Sequence, residues 1–106
     1  MLPAAYRLRA TSAFSATTRK GKRVAQSDVV LHFLAGDSPR VGYIVSKAVG
    51  GSVTRHAIAR RLRAATAQHL SELPDGNLVV RALPSAAQAS VSDLSGQLER
   101  ALGKLA

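Results

Sequence analysis

Residues 46–63 are SKAVGGSVTRHAIARRLR, a paired-glycine turn followed by four arginines and a histidine within nine residues. Four residues fall within one arc of about 60° when they are plotted at 100° per residue: Ile58, Leu62, Ala65 and His69. The pattern predicts an amphipathic helix from Ser52 to about His69, with Ser52 as its N-cap. The arc with the apolar residues is expected to face the core.

Strands flank this helix on both sides. Residues 28–35 are rich in β-branched and aromatic side chains, and after a Gly-Asp-Ser-Pro turn residues 40–47 are expected to return as the second strand of a hairpin. A further strand is predicted at residues 77–83. The chain therefore switches from strands to a helix and back, which is typical of a sheet packed by helices.

Two more helices are expected near the ends of the chain. Residues 12–20 predict a short helix with Thr11 or Ser12 as N-cap and Gly21 as its stop, preceded by an extended arm at residues 1–11. Ser90 and Asp93 have the spacing of a capping box, and leucines then recur at helical spacing to Leu105. The 106 residues are expected to form one α/β (α+β) domain, spanning 1–106.

Charge is concentrated in the first part of the chain. The formal net charge is +9, and residues 1–63 hold 12 basic and 2 acidic side chains, whereas residues 64–106 hold 3 and 4. A field of this strength favours a polyanionic partner. The chain has no cysteine, no secretory signal layout and no run of about 18 apolar residues. We therefore expect a cytoplasmic protein without disulfides or a membrane association.

The residues offer little support for catalysis within the chain. Neither nucleotide-binding glycine motif occurs at Gly50 and Gly51, so these glycines predict a tight turn, with room for one phosphate at the helix start. None of the three histidines has a carboxylate at a spacing that suggests a triad or a metal pair, and no metal site is predicted.

The basic helix is the strongest functional signal. A charged helix face is usually only solvated, but acidic partners are absent between residues 52 and 70, and arginine suits bidentate phosphate contacts. Phe14 and His32 could stack on single-stranded bases, and a basic helix could equally enter a DNA groove. Composition leaves RNA and DNA about even.

The helix and its turn carry a resemblance to a known family. Residues 47–63 resemble the signature of the bacterial ribonuclease P protein subunit, approximately K-x-V-G-N-A-V-x-R-N-R-x-K-R-x-x-R. Seven positions coincide in register: Lys47, Val49, Gly50, Val53, Arg55, Arg60 and Arg63. Among the departures from the pattern, Gly51 replaces an asparagine, Ala57 an arginine and Ala59 a lysine. The similarity continues through Arg7-Leu8, Phe14, Gly21, Arg40-Val41-Gly42 and Leu78–Ala82.

The resemblance implies a fold and a function. The fold would be an α-β-β-β-α-β-α two-layer sandwich with a mixed sheet and a left-handed crossover through the basic helix. The chain would bind the catalytic RNA subunit, which uses Mg²⁺ to remove the 5′ leader of precursor tRNA, and no obligate protein partner is expected. The alternatives are a non-catalytic ribosomal or RNA-chaperone module on the same fold and a DNA-binding regulator.

The resemblance also implies which residues meet RNA. The basic helix and its preceding loop would contact the RNA subunit through Lys47, Gly50, Ser52, Arg55, His56, Arg60, Arg61 and Arg63. A cleft between the first helix and the sheet would hold the leader through Arg7, Arg9, Phe14, Thr18 and His32. Further basic groups stand at Arg19, Lys20, Lys22 and Arg23. His32 and Thr18 occupy positions that are often aromatic in the family.

Overall fold

A computed structural model describes residues 2–105. The order α-β-β-β-α-β-α is confirmed, with 3₁₀ turns at Ala4–Tyr6, Lys47–Val49, Leu70–Glu72 and Pro84–Gln88. The helices and strands are α1 Thr11–Lys20, β1 Lys22–Ala25, β2 Val29–Ala35, β3 Pro39–Ile44, α2 Ser52–Ala67, β4 Gly76–Ala82 and α3 Val91–Leu105. Strand β1 is too short and too basic to stand out by residue pattern, although the resemblance implied a third strand before α2.

The four strands form one mixed sheet in the order β1-β2-β4-β3. The predicted hairpin of β2 and β3 is wrong, because β4 lies between them, antiparallel to β2 and parallel to β3. The turn after β2 binds the start of β4 instead: the Gly36 N–H donates to the Asp75 carbonyl, and the Gly76 N–H donates to that of Ser38. Helix α2 is thus the crossover between parallel neighbours β3 and β4, and its left-handed sense stays a prediction.

Helices cover both faces of the sheet. The larger core lies between one sheet face, including Leu31 and Val80, and helices α2 and α3. The predicted buried arc of α2 is confirmed, since Ile58, Leu62 and Ala65 are fully buried and His69 nearly so. On the opposite face α1 packs over β2 and β4, where Val30 and Val79 are buried. The predicted sandwich therefore has a third, partial layer formed by α1.

The N-terminal arm lies along the outer edge of β3. Leu2 is 1% exposed, and the Leu8 N–H donates to the Val41 carbonyl at 2.9 Å. The backbone is extended at Pro3 and Arg7, as expected, but a 3₁₀ turn at Ala4–Tyr6 separates them. An edge strand that would otherwise expose its polar backbone is thereby covered.

Two predicted helix caps are wrong by one residue. Helix α1 begins at Thr11 after Ala10, and α2 begins at Ser52 after Gly51, in both cases without a side-chain cap. Helix α2 also ends at Ala67, two residues before the predicted end.

Two other predicted helix ends are confirmed. The capping box of α3 is present, since the backbone N–H groups of Ser90 and Asp93 each donate to the other's side chain at 3.0 Å. Hydrogen bonds from Ser90 to the Asp93 carboxyl, first from its backbone N–H and then from its side chain, lower the pKa of Asp93. Gly21 ends α1, and its N–H donates to the Thr17 carbonyl.

Candidate nucleic-acid interface

The turn into α2 needs only one of its two glycines. Gly50 has φ +145°, a conformation that is essentially restricted to glycine, and an added Cβ would also lie 3.0 Å from Thr54. Gly51 has φ −74°, and its Cβ would point into open space. Gly50 therefore fixes the direction in which α2 leaves the sheet.

The N-terminus of α2 is open to solvent. Val53 is 84% exposed, and the first turn contains neither an acidic residue nor a side-chain cap. Unpaired N–H groups and the helix dipole favour an anion at such an end. This arrangement fits the predicted phosphate contact near Gly50 and Ser52.

Four side chains form what we term the basic face of α2: Arg55, His56, Arg60 and Arg63. Two adjoining hollows of about 270 Å³ each run along this face, with Ala59 in the floor of both. His56 and Arg60 are exposed, whereas Arg55 is half-buried with its Nε buried and without a hydrogen-bond partner. An unpartnered guanidinium N–H at the base of a hollow offers a donor to a ligand.

Arg61 does not belong to this face. It projects from the opposite flank of α2, where Nη2 donates to the Ala87 carbonyl at 3.2 Å, across to the turn before α3. This hydrogen bond distinguishes Arg61 from the other three predicted RNA-binding arginines, although Arg61 lines a hollow of about 400 Å³ together with Arg60 and Arg63. Sequence adjacency concealed this, because neighbouring helix residues point about 100° apart.

The predicted leader cleft includes a hollow of about 200 Å³ beside α1 and β3, which we term the aromatic hollow. The ring of Phe14 lies directly over Gly42, where any Cβ would overlap it. Arg7, Tyr43 and Arg63 also line the hollow. Since Arg63 lines both this hollow and the basic face, the two predicted surfaces are continuous.

Tyr43 lines both the aromatic hollow and one hollow of the basic face. Its hydroxyl donates to Thr66 Oγ1 at 2.9 Å, and Thr66 Oγ1 donates to the Leu62 carbonyl. Burial raises the pKa of Tyr43 to about 12, against the opposing effects of that hydrogen bond and of Arg63 and Arg7. Sequence reasoning missed this residue, whose only signal was an aromatic ring in a strand beside Gly42.

The other predicted cleft residues lie apart from the aromatic hollow. Arg9 is exposed on the arm, and the Thr18 hydroxyl donates to the Ser15 carbonyl within α1. His32 lies in β2, two strands away from Gly42, with Arg23 directly opposite on β1. The cleft therefore has two ends, one at β3 and one at β1.

The additional basic cluster is also divided. Lys22 Nζ donates to the Lys104 carbonyl near the end of α3, which stabilises that helix end. Arg23, the next residue, points to the opposite sheet face. Arg19 and Lys20 are exposed at the end of α1.

Within the described residues no carboxylate neutralises the arginines. Across residues 2–105 the sole pair within 4.0 Å is His69 Nδ1 with Glu72 Oε2, at 2.6 Å. Unpaired arginines on a continuous surface favour an anionic partner over a merely solvated face.

The pair at His69 corrects the expectation that no histidine has a carboxylate partner. His69 Nε2 lies 2.8 Å from Ser95 Oγ. Glu72, His69 and Ser95 therefore follow the order carboxylate, histidine and serine that a serine triad has. The Ser95 hydroxyl also lies 2.9 Å from Gln68 Oε1, so it has a second hydrogen-bond partner. The network instead ties the end of α2 to α3.

The described residues contain neither a metal-binding cluster nor a membrane-spanning helix. Residues 2–105 hold no group of three or more His, Asp or Glu side chains arranged to bind a metal ion. None of the helices in that range combines the length and apolar character that a bilayer crossing requires.

Comparison with known proteins points to one family. A family model described as Ribonuclease P matches residues 2–106. The chain is 44% identical over 110 residues to the ribonuclease P protein component of Acidothermus cellulolyticus, covering 99% of this chain and 92% of the relative. It is 47% identical over 107 residues to the same component of Mycobacterium sp. strain KMS, covering 96% and 91%.

Solved structures show the same fold. A mutant RNase P protein of Staphylococcus aureus, described as defective in mRNA degradation, matches with a TM-score of 0.86 at 28% identity, covering 95% of this chain and 88% of that one. The RNase P protein of Thermotoga maritima matches with a TM-score of 0.81 at 21% identity, covering 92% and 96%. The second likeness supports the fold alone.

Proposed function

The chain belongs to the ribonuclease P protein family, and we propose that it binds the ribonuclease P RNA through α2 and the 5′ leader of precursor tRNA through its cleft. Membership of the family implies an RNA partner. The chemistry of the two surfaces, the basic face of α2 and the aromatic hollow, indicates which RNA each one binds.

The basic face of α2 suits a structured RNA. Three arginines and an exposed histidine project from a rigid helix whose direction is fixed at Gly50. Guanidinium groups form bidentate hydrogen bonds with phosphates, and donors held in place before binding lose less entropy than flexible ones. We assign this face and the preceding loop to the ribonuclease P RNA.

The aromatic hollow suits a single strand. Phe14 presents a ring at the mouth of a concave site beside Arg7 and Arg63. Stacking of unpaired bases on aromatic rings, with arginines along the backbone, is the usual chemistry of single-stranded RNA recognition. The 5′ leader is the single-stranded part of a precursor tRNA, and we assign the hollow to it.

The hydrolysis itself is assigned to the RNA subunit with Mg²⁺. Within residues 2–105 the arrangement of Ser95, His69 and Glu72 ties α2 to α3, and we assign the binding and positioning of RNA to the protein. A cytoplasmic location is part of the proposal and agrees with the lack of cysteine in the sequence.

The observation that carries the proposal is the position of Arg63, which lines both surfaces. An RNA bound to α2 would thus lie next to a second RNA strand bound in the adjoining hollow. The test is the affinity of the reconstituted protein–RNA complex for precursor and for mature tRNA. We expect tighter binding of the precursor, whereas equal affinities would favour the RNA-chaperone alternative.

A further inference from the structure

Tyr43 and Thr66 form a hydrogen bond whose direction is fixed by the other bond of Thr66. The Thr66 side chain is buried, and its hydroxyl donates to the Leu62 carbonyl at 2.7 Å. A threonine hydroxyl has a single proton, so in its 2.9 Å contact with Tyr43 it can only accept. The phenol of Tyr43 is therefore the donor, and its oxygen is held against the last turns of α2.

The phenol keeps this proton at neutral pH. Burial raises the pKa of Tyr43 to about 12, although the hydrogen bond to Thr66 and the charges of Arg63 and Arg7 act in the opposite direction. The hydrogen bond between β3 and α2 is thus complete under the conditions in which the protein would meet RNA.

The ring of Tyr43 lies beside Arg63. Thr66 follows Arg63 by three residues, so the two side chains are neighbours on one side of α2. Tyr43 and Arg63 together line the aromatic hollow and one hollow of the basic face. The bond at Thr66 therefore fixes a flat wall next to the arginine that the two surfaces share.

Arg63 has no ion-pair partner that would order it within the described residues. Its side chain is half-buried, and no carboxylate lies within 4.0 Å of it in residues 2–105. An arginine side chain loses conformational entropy when a ligand orders it. A wall that limits its rotamers beforehand reduces this loss and so strengthens binding.

We propose that Tyr43 is a positioning residue, whose hydroxyl holds Arg63 in the orientation that serves RNA on α2 and RNA in the aromatic hollow at the same time. Tyr43 acts through Arg63 and not by contact with the reacting atoms. The inference rests on the proposed function for the identity of the two RNAs. It goes beyond that function by assigning the link between the surfaces to one hydrogen bond.

The two RNAs should depend on Tyr43 to different degrees. The RNA on α2 also meets Arg55, Arg60 and His56, so a less ordered Arg63 removes only part of its contacts. A strand in the aromatic hollow meets Arg63 beside Arg7 alone among the arginines that line it. Loss of the Tyr43 hydroxyl should therefore weaken the precursor more than the RNA subunit.

The first test measures cleavage by the enzyme reconstituted with ribonuclease P RNA. Tyr43→Phe should raise the KM for precursor tRNA about three- to tenfold, the effect of one lost hydrogen bond. The kcat and the affinity for the RNA subunit should stay within about twofold. Tyr6→Phe is the matched control, because it removes the other tyrosine hydroxyl of the chain and should leave all three values unchanged. A lower kcat with an unchanged KM in Tyr43→Phe would overturn the proposal.

The second test replaces the partner of the hydroxyl. Thr66→Val keeps the shape of the side chain but removes the acceptor, and should raise the KM as Tyr43→Phe does. Thr66→Ser keeps the acceptor and should restore a KM close to that of the wild type. The double variant Tyr43→Phe, Thr66→Val should be no worse than either single variant, since both remove the same bond. Additive losses would contradict the assignment to one bond. Circular dichroism of each variant checks that the fold is retained.

The third test asks whether Tyr43 acts through Arg63. Arg63→Gln should itself raise the KM for precursor tRNA, and adding Tyr43→Phe in that background should change it by less than about twofold. An equal effect of Tyr43→Phe with and without Arg63 would show that the tyrosine acts through the fold as a whole, and would overturn the proposal.

A measurement without RNA separates this inference from the proposed function. NMR relaxation of the Arg63 Nε–H group should show a lower order parameter in Tyr43→Phe than in the wild type or in Tyr6→Phe. Arg60, which is exposed, provides the mobile reference in the same spectra. An unchanged order parameter for Arg63 would overturn the proposal. Failure of the proposed function appears elsewhere, as equal affinity of the wild-type complex for precursor and mature tRNA.

Discussion

At the scale of single residues, two adjacent glycines have different roles. Gly50 adopts φ +145°, which other residues reach only with strain, while Gly51 has ordinary backbone angles and open space around it. Gly51 is also a position at which the resembling family carries asparagine. The resemblance and the geometry agree that only Gly50 must be glycine.

Replacement of these glycines tests that difference. Gly50→Ala should lower the free energy of unfolding by about 1–3 kcal/mol, because alanine is strained at this φ. Gly51→Ala is the matched control and should change it by less than about 0.5 kcal/mol. Urea denaturation of both variants provides the measurement, and equal losses would show that the turn does not depend on a positive φ.

The raised pKa of Tyr43 predicts that the stability of the fold depends on pH in the alkaline range. Its folded-state pKa is raised to about 12 from an ordinary value of 10.0, so the folded state holds the phenolic proton more tightly. The associated stability is complete below pH 10 and is lost as the pH rises towards 12. Tyr43→Phe has no such proton and should lose less stability over this range. Parallel losses in both proteins, measured by urea denaturation between pH 9 and 12, would contradict the assignment.

At the scale of elements, the two flanks of α2 have separate tasks. Arg60 is exposed on the basic face, whereas Arg61 is tied to the Ala87 carbonyl on the other flank. Arg61 lies one helical turn after Ala57, where the signature has an arginine, but its Nη2 donates to the Ala87 carbonyl.

Salt dependence distinguishes the two arginines. Arg60→Ala should weaken binding to the ribonuclease P RNA and lower the slope of log affinity against log salt by about one unit. Arg61→Ala should leave that slope unchanged and lower the free energy of unfolding by about 1 kcal/mol through its lost hydrogen bond. A lower slope in both variants would place Arg61 on the RNA.

Helix α1 carries Phe14, the ring that we propose stacks on the leader. Phe14→Leu keeps an apolar side chain over Gly42 but removes the aromatic surface, so it should weaken binding of precursor tRNA about tenfold. Binding of mature tRNA should remain within about twofold. Equal losses for both RNAs would assign Phe14 to packing alone.

At the scale of the whole molecule, residue patterns predicted every helix and strand except β1, but not which strands are neighbours. Periodicity identified the buried side of α2 and the strands, because burial imposes a repeat of 3.6 or 2 residues. The β2–β3 hairpin was wrong, because β4 is inserted between strands that are close in sequence. Strand pairing over such distances leaves no local pattern.

In the candidate site, too, some residues were predictable from the sequence and others were not. The basic face and Phe14 were predictable from charge and from the resemblance, since both lie within contiguous motifs. The position of Tyr43 beside the aromatic hollow depends on how β3 packs against α2, and the hydrogen bond of Arg61 depends on the turn before α3. Sequence therefore indicated the chemistry of the partner, and the topology determined which side chains share a surface.

The central claim is that this chain acts as the protein subunit of ribonuclease P. The most direct test is cleavage of a precursor tRNA by a bacterial ribonuclease P RNA at a Mg²⁺ concentration too low for the RNA alone. We predict that adding the chain restores removal of the 5′ leader and leaves a 5′-phosphate on the mature tRNA. Tight binding to both RNAs without any increase in the cleavage rate would contradict the account.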